Sequence, residues 1–188
     1  MTPGEILDGL KKDIEKNISI TGDTFIPLSN DQLNWKPTPE KWSISQCLEH
    51  LNIVDKYYLV RFRKVLISGK KAFFNRDHYT PSLLGSYYIK QVEPNAPVKN
   101  SQTHKIYRPS EDKNDGSVLK EFVRLQHLLK ETFEKAKKYD MKKNKFSMPS
   151  NELMVFRFAD AMIAIVRHDQ RHMLQALMLM DMDNFPKQ

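Results

Sequence analysis

A single cysteine, Cys47, in 188 residues leaves no partner for an internal disulfide. This agrees with a reducing compartment. Only six glycines are present, and no phosphate-cradling glycine loop, nucleophile elbow or cysteine-pair zinc motif can be found among them. Long hydrophobic runs are also missing. The longest uncharged stretches near the C-terminus, Ala161 to Val166 and His172 to Met180, fall well short of the roughly 20 apolar residues that cross a bilayer. Met1-Thr2-Pro3-Gly4-Glu5 leads into no signal-peptide core. These absences exclude a disulfide-stapled domain and a helical membrane protein, and the expectation is a soluble, cytoplasmic chain. With 40% hydrophobic residues there is enough apolar material for one core, so residues 1–188 read as a single globular domain.

Basic charge is in excess, at a formal +7 with a pI near 9.3, which raises the question of an anionic partner. The densest lysine stretch, Lys135 to Lys145, falls at the end of a predicted helix, where cations complement the helix dipole. No nucleic-acid module accompanies it, so nucleic acid is not the expected partner.

Apolar periodicity predicts four long helices. Helix one runs from about Thr2 to Phe25 on Leu7, Leu10, Ile14, Ile18 and Phe25, and Pro27 ends it. A connector with Pro37, Pro39 and two tryptophans, which would cover the end of a core, leads to Ser43. Gln46 stands at the capping-box position there, and helix two continues to Ser68 on Ile44, Leu48, Leu51, Tyr58 and Phe62. Helix three runs from near Ser117 to about Asp140 on Leu119, Phe122, Gln126, Leu129, Phe133 and Ala136. Helix four opens at Ser150 or Asn151, with Glu152 in its first turn, and reaches about Asp181. No alternating strand is read. The fold class is therefore all-α, a four-helix bundle with an irregular excursion, Gly69 to Gly116, between helices two and three. A structureless loop of that length is unusual in a compact fold, so a short helix is expected near Pro81 to Gln91.

The chemistry concentrates in histidines. His168 and His172 are one helical turn apart on the stripe Ala161, Ile165, His168, His172, Ala176 and Leu179, so both rings face the bundle. By themselves they fit ordinary core histidines, with Asp169 and Arg171 as surface charges. His50, inside helix two, supplies a third imidazole, although periodicity leaves its level relative to the pair open. If the levels coincide, three imidazoles from two helices leave coordination positions open, the arrangement of a reactive rather than a purely structural site. Zn, Ni, Fe and Mn all suit imidazole. His127 shares a face with Arg124, Glu131 and Glu134 and reads as solvated; His78 and His104 lie in the excursion. Cys47 reads as a small core residue, and Glu49 as a surface glutamate or a carboxylate behind a ligand.

Two segments carry a family resemblance. Asn34 to Leu51, with Trp42-Ser43 opening the helix that holds His50-Leu51, resembles the first signature of the DinB-like superfamily. His168-Asp169-Gln170-Arg171-His172, followed by Gln175, resembles its second. This superfamily includes YfiT-like metal hydrolases and bacillithiol- and mycothiol-dependent transferases. The resemblance implies a four-helix bundle, a divalent metal on His50, His168 and His172, a small-molecule substrate such as a low-molecular-weight thiol, and a homodimer. A thiol S-transferase or hydrolase is thus the leading function. A non-catalytic metal-binding or interaction protein, possibly stress-related, is the alternative.

Overall fold

The computed structural model describes residues 1–72, 78–96, 103–110 and 112–187. Residues 73–77 and 97–102 of the excursion lie outside these. Helix α1 (Pro3–Ile20) opens on a reciprocal capping box between Thr2 and Glu5, with Pro3 in the first turn, where its missing N–H is no loss. A π-helical turn, Thr21–Phe25, continues it. Ser29 and Gln32 form a second capping box that starts the short α2 (Asn30–Asn34). Ser43 and Gln46 form the box read from the sequence, and α3 (Ile44–Ser68) follows. The short helix of the excursion is α4 (Leu83–Val92). The remaining helices are α5 (Ser117–Ala136) and α6 (Phe158–Met180).

Cross-helix contacts give the directions. Asn52 reaches the carbonyl of Val118, Lys56 pairs with Glu121, and Phe62 packs edge-on against Phe133, so α3 and α5 run parallel. His50 meets His168 while Phe62 meets Phe158, which makes α3 and α6 antiparallel. Lys11 with Glu134, and Asn17 with Gln126, make α1 antiparallel to α5. A parallel neighbour cannot be reached by a short turn. The chain must travel back along the bundle, and α3 with its 25 residues is about 37 Å long. The excursion performs that return. Its helix α4 runs beside α6, with Gly85 near Asp160 and Ile89 and Val92 packed with Ala164.

The expected start of helix four is corrected. Residues 145–148 and 151–157 form an antiparallel hairpin, β1 (Lys145–Met148) and β2 (Asn151–Arg157), and α6 begins only at Phe158. Along β2 the side chains alternate: Phe156 is buried and Met154 half-buried, while Leu153 and Val155 face outward. Phe156 lies opposite Phe146 of β1, which is also buried. The outward apolar pair hides this period of two, because it extends the apolar run of α6 backward. The acidic residue of the first turn is Asp160, whose carboxylate accepts from Arg157 N, whereas Glu152 forms an ion pair with Arg61.

Two apolar clusters fill the bundle. One gathers Leu7, Leu10 and Ile14 of α1, Tyr58 and Phe62 of α3, Leu129 and Phe133 of α5, and Phe158 to Val166 of α6. The other gathers Phe25, Leu48, Leu51, Leu119, Phe122, Met173 and Ala176. Between them each long helix contributes buried polar side chains: Asn17, His50, Asn52, Asp55, Gln126 and Asp169. The bundle is thus crossed by a polar layer at mid-height.

The excursion is pinned to α6 at one close approach. Asp160 accepts from the Tyr79 hydroxyl and from Ser82, and a Cβ on Gly85 would collide with its Oδ2. Gly85→Ala is expected to destabilise the fold by about 1–3 kcal/mol through overpacking, measured by urea denaturation.

Candidate metal centre

His50 lies in the second turn of α3 and His168 and His172 near the middle of α6, and the antiparallel pairing brings those levels together. The ring centroids stand 5.1 Å (His50 to His168), 4.6 Å (His50 to His172) and 4.7 Å (His168 to His172) apart. One nitrogen from each ring lies within 4.8 Å of the others, and this is the group among the described residues that could hold a metal ion. His50 is buried, and the other two are half-buried.

Each ring has its own surroundings. His50 Nδ1 donates to the Tyr107 carbonyl at 2.7 Å, which leaves Nε2 with a lone pair aimed at His168 Nε2, 3.2 Å away. His172 Nδ1 is 3.0 Å from Gln175 Oε1, the residue one turn further along α6. His168 Nδ1 is buried and has no hydrogen-bond partner among the described residues. The half-buried indole of Trp42 covers the site from the start of α3, 4.9 Å from the His50 ring and 5.8 Å from the His172 ring. Trp35 packs on Phe185 instead, so both tryptophans cover the end of the core, as their position predicted.

Burial keeps the three imidazoles neutral. Removal from water lowers His50 to about 4 and His172 to about 3, and it pushes His168 well down, helped by its two neighbouring rings. A neutral ring is the form that can donate a lone pair. For His50 and His168 the spacing suits a shared ion. Two imidazoles on one tetrahedral ion at about 2.0–2.1 Å place their nitrogens roughly 3.3 Å apart, and the Nε2 atoms of His50 and His168 stand at 3.2 Å.

The other candidates fall outside the cluster. His127 is exposed, as read; His78 is exposed against the N-terminal amine, and exposed His104 accepts from Ile106 N. Cys47 is fully buried, which pushes its thiol up to about 12. Glu49 is neither a free surface acid nor behind a ligand: it accepts from Ser110 N and from Asn114, and so fastens the returning strand of the excursion. Asp169 and Arg171 are not surface charges either. Asp169 is wholly buried, and Arg171 donates to the carbonyls of Glu93 at 3.0 Å and Ala96 at 3.1 Å. Burial and the nearby Asp55 push the Asp169 carboxyl well up, and burial raises Asp55 to about 7. The Tyr107 carbonyl could not be foreseen, because a backbone acceptor leaves no mark in residue types. The polar Gln126 within the apolar stripe of helix three was a visible sign of the buried layer.

The comparisons with known proteins now bear on this geometry. The sequence model of the DinB superfamily matches residues 14–176, which takes in both histidine segments. The chain belongs to the DinB superfamily. Neither a curated protein nor a solved structure matches it. Membership in the DinB superfamily agrees with the helical architecture and with the convergence of three imidazoles. No helix among the described residues is long and apolar enough to cross a membrane.

The shifted imidazoles set a pH dependence. Between pH 6.5 and about 4 the unfolded chain protonates His50 and the folded chain does not, so the fold loses this contribution to its stability as the pH falls through that window. Asp55 acts in reverse. Its folded form holds a proton up to about pH 7 that the unfolded form releases above 3.8, so it gains stability on acidification. In chelator-treated protein, His50→Gln should flatten the fall in melting temperature between pH 6.5 and 4, and Asp55→Asn should steepen it.

Proposed function

We propose that this chain binds a divalent metal ion through His50, His168 and His172 and serves as a metal-dependent enzyme of the thiol S-transferase or hydrolase type, acting on a small molecule. The observation that carries this reading is the approach of the His50 and His168 Nε2 atoms, at a separation suited to two ligands of one ion. When bound, such an ion supplies acidity, lowering the pKa of a coordinated thiol or water so that it is nucleophilic at neutral pH. Zn, Ni, Fe and Mn all remain compatible with three imidazoles.

The protein's own groups do the positioning. The Tyr107 carbonyl fixes the tautomer of His50 and raises its basicity as a ligand; Gln175 orients His172 through Nδ1. Trp42 closes one side of the site to water. The three protein ligands are neutral and leave positions for a substrate, and a low-molecular-weight thiol fits that requirement because its thiolate brings charge and softness together. A homodimer, implied by the family, and a cytoplasmic location belong to the same proposal. Nucleic acid does not, since Lys135, Lys137 and Lys143 of the lysine-dense stretch already face Glu131, Asp8 with Glu134, and Asp140.

Protein purified without chelator and reloaded with Zn, Ni or Mn should carry close to one ion per chain by elemental analysis, and His168→Ala should abolish that uptake. Failure of the unmodified chain to take up a stoichiometric ion sinks the reading and leaves a non-catalytic interaction protein in its place.

A further inference from the structure

The polar layer beside the imidazoles has a centre, and that centre is not a histidine. Gln126 of α5 is completely buried. Its amide nitrogen donates to Asp55 Oδ2 on α3 at 3.0 Å and to Asp169 Oδ2 on α6 at 2.8 Å. Its carbonyl oxygen accepts from Asn17 Nδ2 on α1 at 3.3 Å. One side chain therefore bonds to each of the other three long helices. Asp55, Asp169 and Asn17 are themselves buried, so no water competes for these bonds.

The two carboxylates are placed where they control the site. Asp169 follows His168 directly on α6, and Asp55 stands five residues beyond His50 on α3. Helix backbones are stiff, so turning α6 far enough to withdraw His168 would also pull Asp169 off the amide. Sliding α3 against α6 would likewise separate Asp55 from Asp169, because both accept from the same nitrogen. The apolar contacts above and below this layer are non-directional and tolerate small rotations, whereas a forked amide with two fixed acceptors does not.

We propose that Gln126 is a positioning residue for the three-histidine site: its amide bridge between Asp55 and Asp169 sets the rotation and spacing of α3 and α6 so that His50 meets His168 and His172. The role rests on the metal reading given above, and it concerns only how the ligand set is held, since Gln126 touches none of the imidazoles among the contacts described.

The decisive experiment compares Gln126→Met, which keeps length and loses both donors and the acceptor, with Phe133→Leu, a core substitution far from the layer. Zn affinity is measured by competition with a chromophoric chelator, the ligand field by the visible spectrum of the Co-loaded protein, and stability by melting of the chelator-treated form. Gln126→Met should weaken Zn at least tenfold and change the Co spectrum, while Phe133→Leu lowers the melting temperature and leaves affinity within about twofold. Wild-type affinity and spectrum in Gln126→Met would overturn the proposal. Should that variant not fold, Gln126→Asn, which keeps an amide but draws it back by one methylene so that it no longer reaches both carboxylates, takes its place, and unchanged Zn affinity there overturns it equally. A wild-type chain that takes up no ion removes the metal reading itself, whereas wild-type uptake matched by the variant removes only the role of Gln126.

Discussion

The parallel pairing of α3 and α5 is the constraint on which the rest of this structure depends. Four helices joined by short turns would alternate in direction, and no excursion would be needed. Because α3 and α5 point the same way, the chain must return the length of the bundle between them, and α4, beside α6, marks that return. The path is fastened at both ends of its course. Asp160 holds its beginning through Tyr79 and Ser82, and Arg171 holds the end of α4. Gln46, Glu49 and His50 hold the segment near Ser110 and Tyr107 against α3. The Tyr107 carbonyl reaches His50 only because the crossover has to pass that level. Topology thus brings to the site a group that neither histidine-bearing helix could supply.

The same level carries an unusual concentration of polarity. A buried polar atom left without a partner costs about 1–3 kcal/mol, and among the described residues Asn52 and His168 each retain one such atom. An apolar layer of equal volume would pack without that penalty. The bundle tolerates it because the apolar clusters on either side are extensive, with Phe25, Phe62, Phe122, Phe133 and Phe158 wholly buried. Stability is supplied above and below, and the middle is left free for chemistry. This division explains why polar residues interrupt the stripes of all four helices at one height.

Much of this was legible in the chain. The capping box at Ser43 and Gln46, the stop at Gly69, the short helix in the excursion and the histidine pair each rest on local rules that need only neighbouring residues. The helical class and the convergence of His50 with His168 and His172 followed from periodicity joined to the two family segments. What stayed hidden depends on long-range pairing. The hairpin of residues 145–157 was masked because Leu153 and Val155, which face outward, extend the apolar run of α6. Asp169 and Arg171 look like surface charges in any local reading, since their partners are Gln126, 43 residues away, and carbonyls just beyond the end of α4. Gln126 did break its stripe, and that break was a readable trace of the buried layer.

Charge balance gives the site its chemical bias. The three imidazoles are neutral, and none of the residues that could hold an ion is a carboxylate. A divalent ion on such a set keeps its full charge, whereas a carboxylate ligand would cancel part of it. The surroundings add little negative charge, since burial keeps the Asp55 and Asp169 pair partly protonated at neutral pH and Glu49 is engaged with Ser110 and Asn114. The N-terminal end of the α3 dipole, near His50, adds positive potential. With a divalent ion held by His50, His168 and His172, an anionic group would be favoured in the remaining positions, and loss of a proton from a neutral ligand there would be assisted. Under the proposed function a thiol would gain most from that bias, because it ionises more readily than water and its sulfur suits an imidazole-bound transition metal.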